Sequence, residues 1–282
     1  MNVGIVGLGL IGGSFAKALT KSNHTVIGYD INQSITDYAK MLGVVKLELD
    51  KSTLTQCNVV FLCITPDAAI EYLQSNAENI SKDTIICDCC GTKRKICKVG
   101  FELAEKHGFT FIGGHPMAGI QFSGFKHSSA ELFKDTSMIL VPKQNEDIAV
   151  LDKLHKLLTE VGFSSFSLTN AQNHDKIIAY TSQLAHVVSN AYVKSPTAQN
   201  HHNYSAGSYK DLTRVAKLNE DMWTELFNEN SDHLATEIDI LINELSKYRD
   251  ALVEKDNEKL HKLLRDGRIR KEEIDTEWKE LK

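Results

Sequence analysis

No stretch of this 282-residue chain approaches the run of roughly 18 apolar residues that a membrane-spanning helix needs. Lysines and arginines nowhere form a basic tract, and with a formal net charge of −5 the chain has no electrostatic footprint for nucleic acid. Cysteine is absent beyond Cys97. Cys57, Cys63, Cys87, Cys89, Cys90 and Cys97 all lie in the first half, and no second ligand pair follows Cys87-x-Cys89-Cys90 at zinc spacing. Small buried thiols are therefore expected, and no metal. There is no low-complexity linker and no internal repeat. The first strand begins at Met1, which leaves no room for a signal peptide. These absences lead us to expect a cytoplasmic protein with a small-molecule partner and no contact with nucleic acid or membrane. The length suits one large or two ordinary domains.

What is present begins at once. Met1 to Val6 reads as an apolar strand running into Gly7-Leu8-Gly9-Leu10-Ile11-Gly12, the G-x-G-x-x-G spacing. Gly7 permits a tight turn, Gly9 lets backbone approach a pyrophosphate, and Gly12 lets the following helix pack closely on the strand. The amides of Leu10 and Ile11 open that helix, where free N–H groups favour an anion. His24 to Asp30 is a second strand ending in a carboxylate. Asp30 stands 18 residues beyond Gly12, near the roughly 20 expected of the acid that binds a dinucleotide ribose. A carboxylate there repels a 2′-phosphate, and no Arg or Lys follows in Ile31 to Ser34, so NAD is favoured over NADP.

Further strand runs occupy Asn58–Ile64, Asp83–Asp88, Phe109–His115 and Ser137–Pro142, alternating with helical segments as a doubly wound parallel sheet requires. Ligands bind beyond the carboxyl ends of such strands. The loops at Ile64-Thr65-Pro66, at Thr92 and at His115 should therefore converge on one crevice, the first of them against the dinucleotide. From about Asn170 the strand signal stops. Asp175 to Val193 is a helix apolar nearly all round, of the kind buried inside a domain or against a second subunit. Met222 to Leu245 is amphipathic, and Lys247 to Lys282 is helical with charges of both signs interleaved. The predicted fold is an N-terminal Rossmann-type α/β domain over residues 1–168, followed by an all-helical domain over 169–282.

Two further clusters carry chemistry. Gly113-Gly114-His115-Pro116-Met117-Ala118-Gly119 sets an imidazole at a strand end among glycines, beside the expected dinucleotide. A neutral His there could take a hydroxyl proton while hydride leaves the same carbon for nicotinamide. In the helical half, Ser205 to Ala216 places Lys210 and Arg214 four apart with Asp211 between them. Arg suits a bidentate grip on a carboxylate; a surface salt-bridge face is the alternative.

Together, Gly-Leu-Gly-Leu-Ile-Gly-Gly-Ser, Gly-His-Pro-Met-Ala-Gly, Lys-Asp-x-Thr-Arg and Met222-Trp223 resemble the prephenate dehydrogenase family, which includes the arogenate dehydrogenases, over nearly the whole chain. The resemblance implies NAD-dependent oxidative decarboxylation of prephenate to 4-hydroxyphenylpyruvate in tyrosine biosynthesis, by a homodimer formed through the helical domain. It implies that His115 accepts the hydrogen bond of the ring hydroxyl. Thr92, where the family usually has Ser, would sit between nicotinamide and substrate. His186 would lie near the substrate side chain, and Arg214 would bind a carboxylate. Gly207, Lys210 and Asp211 would shape the entrance, with Lys210 or Asp211 contributed in part by the second subunit. Three positions depart from the pattern: Thr92 itself, Ala185 in place of a frequent Pro, and Gln121 where relatives often carry an acid. An amide offers little to the ammonium of arogenate, which favours prephenate. No regulatory strand domain is expected in the charged tail, so tyrosine feedback would act at the active site. Rival readings are another NAD-dependent 3-hydroxyacid-type or imine-reducing oxidoreductase and a non-catalytic NAD-binding sensor. The former typically use a Lys in the helical domain, and the latter leaves His115, His186 and Arg214 unexplained.

Overall fold

A computed structural model describes residues 1–120 and 122–280, so the expectation attached to Gln121 lies outside the described residues. The strands β1 (Asn2–Val6), β2 (Thr25–Tyr29), β3 (Leu47–Glu48), β4 (Val59–Leu62), β5 (Ile85–Asp88), β6 (Thr110–Pro116), β7 (Ser137–Val141) and β8 (Ser165–Leu168) form one sheet. Their order is β3-β2-β1-β4-β5-β6-β7-β8. The order reverses between β1 and β4, the switch point where a doubly wound sheet opens a crevice. β4 and β5 are buried along their whole length, as expected of parallel strands covered on both faces.

One pairing departs from the parallel sheet expected. β6 and β7 run antiparallel, with His115 opposite Ile139. The reason is the connection. A parallel return needs a crossover element, whereas the described residues between Pro116 and Ser137 hold no helix longer than a short 3-10 segment at Phe125–His127. β3 is too short to show a period. β8 lies at the sheet edge with most of its residues exposed.

Helices α1 (Leu10–Lys21), α2 (Gln33–Met41), α3 (Lys51–Leu54), α4 (Pro66–Asn76), α5 (Arg94–His107) and α6 (Ile148–Val161) connect the strands. Local signals bound them. Asn32 and Asp147 cap α2 and α6 through Ser34 N (3.1 Å) and Ala149 N (2.8 Å). Gly108, at φ +89°, ends α5 in the left-handed region. On one face of the sheet, α1 and α6 enclose a stack of Phe15 with Phe61 and Phe133, both at 4.4 Å, and of Phe133 with Phe163 at 4.8 Å. The other face is covered by Ile70 and Leu73 of α4 and Ile96 of α5, around Phe111. The six cysteines are free thiols, and burial pushes Cys57 up to about 12. They pack as small apolar groups.

Beyond β8 the chain is helical: α7 (Ala171–Ile178), a π-helical segment Ala179–Leu184, α8 (Ala185–Tyr192), α9 (Gly207–Thr213), α10 (Glu220–Glu229), α11 (Ser231–Glu254) and α12 (Asn257–Glu280). The helix expected over 175–193 is thus interrupted, and it is covered on one side only. Ile178, Ala179, Leu184 and Ser189 are buried, while Ile177 and Tyr180 remain 49% and 60% exposed. Packing divides the described chain into two compact units, Met1–Ser231 and Asp232–Lys282. The division falls well after Leu168 because α7 and α10 bond back to the loops at the strand ends, as shown below. The second unit is a helical hairpin that turns at Lys255 (φ +55°), with Tyr248 Oη donating to Leu263 O at 3.2 Å. Ion pairs such as Arg268–Glu272, one turn apart at 2.6 Å, cover its exposed surface.

Phe15 has no solvent exposure and touches three other phenylalanines. Phe15→Ala is expected to cost about 3–5 kcal/mol, read as a lower urea midpoint; a loss below about 1 kcal/mol would show that the stack is not the centre of this core.

Candidate active site

The glycine loop has the shape its spacing predicts. Gly7 adopts φ +87°, and a Cβ there would stand 2.4 Å from Ile64 Cγ2 and 2.7 Å from Cys63 O. A Cβ on Gly12 would lie 1.8 Å from Gly7 O, so α1 can approach only through a glycine. At Gly9 nothing lies within 4 Å of that position. The backbone is open to a ligand there, and no side chain caps the start of α1 at Leu10 and Ile11. Asp30 is fixed at the rim: Oδ2 accepts from Leu8 N (2.8 Å), Oδ1 accepts from Asn32 N (2.9 Å), and its own N–H donates to Thr36 Oγ1 (3.1 Å). One carboxylate therefore ties β2 to the glycine loop, and each of its oxygens retains a lone pair. Ile64 packs on Gly7, Thr65 precedes α4 without capping it, and Pro66 opens α4. These groups fit the pyrophosphate and ribose of a dinucleotide.

At the next strand end, Asp88 and Lys93 form an ion pair with neither side chain exposed. Asp88 also accepts from Cys90 N (2.9 Å) and from Gly114 N (3.1 Å), which precedes His115. Burial opposes the Lys93 charge, but the Asp88 carboxylate outweighs it and raises the Lys93 pKa. The glycines of β6 are required by packing: a Cβ on Gly114 would stand 2.4 Å from Asp88 O.

His115 is partly exposed at the end of β6, with Nδ1 2.9 Å from His174 Nε2. His174 Nδ1 lies 2.7 Å from Asp175 Oδ1. Asp175 also accepts from Lys93 N (2.7 Å), Arg94 N (2.9 Å) and Arg94 Nε (3.2 Å). Burial pushes His115 well below the ordinary imidazole value of 6.5, and His174 and Lys93 reinforce the shift. His174 is also lowered by burial, against the pull of Asp175. Burial works against the Asp175 charge, but the bonds from His174 and the two amides prevail and lower its pKa. The result is two neutral imidazoles beside an ionised carboxylate.

Thr92 is buried, and its hydroxyl donates to Glu229 at the end of α10. Glu229 is 9% exposed and its pKa is raised by burial. Asp67, Glu225 and Glu229 bring carboxylate oxygens within 4.8 Å of one another. Lys95 supplies the compensating charge by pairing with Asp67 and, at 3.4 Å, with Glu229. Glu225 in turn accepts from Asp67 N at 2.7 Å.

The remaining expected residues gather around α8 and α9. His186 Nδ1 donates to Ser182 O (2.9 Å), inside the π segment, and its ring stacks on Trp223 at 4.0 Å. Burial lowers the His186 pKa, and Arg214 lowers it further, which places that guanidinium within electrostatic reach. Gly207, Lys210, Asp211 and Arg214 are exposed on α9 or at its end. None of the three charged residues enters an ion pair among the described residues.

The structure thus brings together His115 with the Thr92–Lys93 turn, and His186 with Arg214. Sequence reasoning missed His174, Asp175, Asp88 and Glu229. The first two had a signal, a His-Asp pair at the start of the apolar stretch expected over 175–193. Asp88, a charge closing a fully buried strand, had one as well. Glu229 had none.

Comparison with known proteins identifies the family. Residues 15–166 match the family model of the prephenate dehydrogenase nucleotide-binding domain, and residues 170–266 that of the prephenate dehydrogenase dimerization domain. A cyclohexadienyl dehydrogenase of Zymomonas mobilis is 30% identical over 270 residues, 92% of this chain and 91% of that protein. The structure of prephenate dehydrogenase from A. aeolicus in complex with hydroxyphenyl propionate and NAD+ superposes with a TM-score of 0.81 at 28% identity, covering 97% and 98% of the two chains. Synechocystis arogenate dehydrogenase superposes with a TM-score of 0.80 at 26% identity, covering 97% and 100%. The chain belongs to the prephenate dehydrogenase family.

Proposed function

We propose that this chain oxidatively decarboxylates prephenate to 4-hydroxyphenylpyruvate, with NAD as hydride acceptor. The observation that supports this most directly is His115, a neutral, partly exposed imidazole at the carboxyl end of β6, in a sheet whose glycine loop and Asp30 suit a dinucleotide. NAD supplies the acceptor for hydride; the protein supplies geometry and a proton acceptor. His115 takes the proton of the ring hydroxyl as the C–O bond becomes C=O and the carbinol hydrogen leaves with its electron pair. The electrons of the ring–carboxylate bond then enter the ring as carbon dioxide departs. Aromatisation drives that step, and the phenolate regains a proton. Thr92 lines the nicotinamide side of this pocket. His186 lies near the substrate side chain and Arg214 takes a substrate carboxylate as a bidentate donor, with Gly207, Lys210 and Asp211 at the entrance. Gln121 offers an amide and no carboxylate for an ammonium, which supports prephenate over arogenate. We assign residues 1–168 to cofactor binding and 169–282 to substrate binding and homodimerisation. The uncovered Ile177 and Tyr180 are apolar surface that a second copy would bury.

The direct test is NADH formation at 340 nm with prephenate or arogenate. Turnover with prephenate and little with arogenate is expected; the reverse would refute the Gln121 argument, and silence with both, in a protein that binds NAD, would refute the reaction. His115→Asn should reduce kcat by at least ~10²-fold with NAD affinity within about threefold. Because the folded pKa of His115 lies well below 6.5, the neutral base persists as pH falls. The acid limb of kcat/KM should therefore appear well below pH 6.5, and a limb at or above that value would assign the base elsewhere. Arg214→Ala should raise the prephenate KM by ~10-fold or more through the lost carboxylate grip, and an unchanged KM would remove Arg214 from the site. In Asp30→Ala the preference for NAD over NADP should narrow; a preference that survives intact would show that another group reads the ribose.

A further inference from the structure

We propose that His174 and Asp175 are positioning residues that fix which nitrogen of His115 carries the proton. The inference rests on the reading of His115 as proton acceptor. It starts from Asp175, whose carboxylate can only accept hydrogen bonds when ionised. Three of its four bonds come from groups that can only donate: Lys93 N at 2.7 Å, Arg94 N at 2.9 Å and Arg94 Nε at 3.2 Å. The fourth, from His174 Nδ1 at 2.7 Å, must therefore also be a donated N–H. A neutral His174 with its proton on Nδ1 has a lone pair on Nε2. That lone pair faces His115 Nδ1 at 2.9 Å, so His115 must donate there. The proton of neutral His115 then resides on Nδ1, and Nε2 is left as a free acceptor. Each assignment follows from the one before it, beginning with a carboxylate that has no proton to give.

Burial enforces the chain. The His174 and Asp175 side chains are 0% and 1% exposed, so no water competes for these bonds. The charged groups that face the two imidazoles are Asp175 from α7 and, from the β5 end, Lys93 paired with Asp88. Burial, reinforced by Lys93, disfavours a proton on either ring and keeps both neutral, which makes tautomer the only remaining freedom. An unfixed His115 would spend part of its time with Nε2 protonated, and in that state it cannot accept a hydroxyl proton. His174 never touches substrate in this scheme; it acts through His115.

Asp175→Asn is the sharp test because it conserves shape and inverts polarity. With its oxygen in the place of Oδ2 the asparagine keeps both Arg94 bonds, and its NH2 takes the place of Oδ1, giving up the Lys93 N–H bond and turning a donor toward His174 Nδ1. His174 would then carry its proton on Nε2, and His115 would be forced to protonate Nε2. We expect kcat to fall by ~10²–10⁴-fold, the size of a general-base contribution, with a His held in the wrong tautomer at the upper end. Prephenate KM and NADH affinity, titrated by fluorescence, should stay within about threefold. Independently of turnover, ¹⁵N shifts of histidine-labelled protein should show His115 with Nδ1 protonated in the parent and Nε2 protonated in Asp175→Asn. His174→Phe, which keeps a ring and removes both bonds, should release the tautomer and lower kcat by an intermediate amount. Should Asp175→Asn fold poorly, the ¹⁵N spectrum of the parent and the kinetics of His174→Phe decide the matter alone. A parent His115 protonated on Nε2, or an Asp175→Asn enzyme that binds NADH and turns over at the parent rate, would overturn the proposal. If the parent protein turns over neither prephenate nor arogenate, the proposed reaction falls, and the ¹⁵N assignment still tests the chain from Asp175 to His115.

Discussion

The ion pair between Asp88 and Lys93 is the constraint on which the site depends. Removing two charges from water costs several kcal/mol per ion, and the cost is offset only where every remaining lone pair and proton finds a partner. Asp88 meets that condition by accepting from Lys93 Nζ, Cys90 N and Gly114 N. Those three donors belong to the turn after β5 and to β6, so one carboxylate fixes the turn that carries Thr92 against the strand that carries His115. Lys93 then binds a second carboxylate through its backbone, donating its N–H to Asp175. A single residue thereby joins the sheet, by its side chain, to the first helix of the following segment, by its main chain.

The helical segment reaches the same loops by other means. Leu226 of α10 packs on Gly91, its Cδ2 3.2 Å from where a Cβ would stand, and Leu226 O accepts from the buried Gln183 amide at 3.0 Å. Asn230 donates to Asp175 O and to Gln183 Oε1, both at 2.8 Å, and accepts from Arg94 at 2.9 Å. Gln183 lies in the π segment between α7 and α8. Single π turns are frequent at functional sites, and here the turn lies between His174 and His186, and Ser182 within it offers its carbonyl to His186 Nδ1. The wider turn changes the angular relation between the two histidines that an uninterrupted α-helix would impose.

Much of this was legible in the sequence, for reasons that differ from residue to residue. The glycine loop and Asp30 are local: spacing alone places them, and the steric requirement at Gly7 and Gly12 is met by no other residue type. The buried strands β4 and β5 show as apolar runs because both faces are covered. His115 stood out because its neighbours are glycines that the sheet needs for close packing. The antiparallel β7 was not legible, since strand direction depends on whether the connection holds a crossover helix, and the apolar pattern of β7 is the same either way. Asp175 was missed because its importance lies in contacts 81 and 82 residues distant along the chain. Glu229 was missed for the same reason, with Thr92 137 residues away. Tertiary hydrogen bonds of that span have no sequence period.

Asp88 and Lys93 could in principle be replaced by apolar residues of similar volume, and such replacements of buried pairs are often neutral or stabilising. The site explains why stability alone is not the measure. An apolar pair would leave Gly114 N and Cys90 N buried without acceptors, and each orphaned amide costs ~1–3 kcal/mol. It would also remove a cation that faces both imidazoles, and with it part of what keeps His115 and His174 neutral. A protonated His174 would donate from Nε2 as well as from Nδ1, and His115 would then have to present a lone pair on Nδ1. The acceptor would face the wrong way. The buried lysine therefore acts at a distance on the direction in which His115 can accept a proton, through its charge, while its amide holds the carboxylate from which that direction is set.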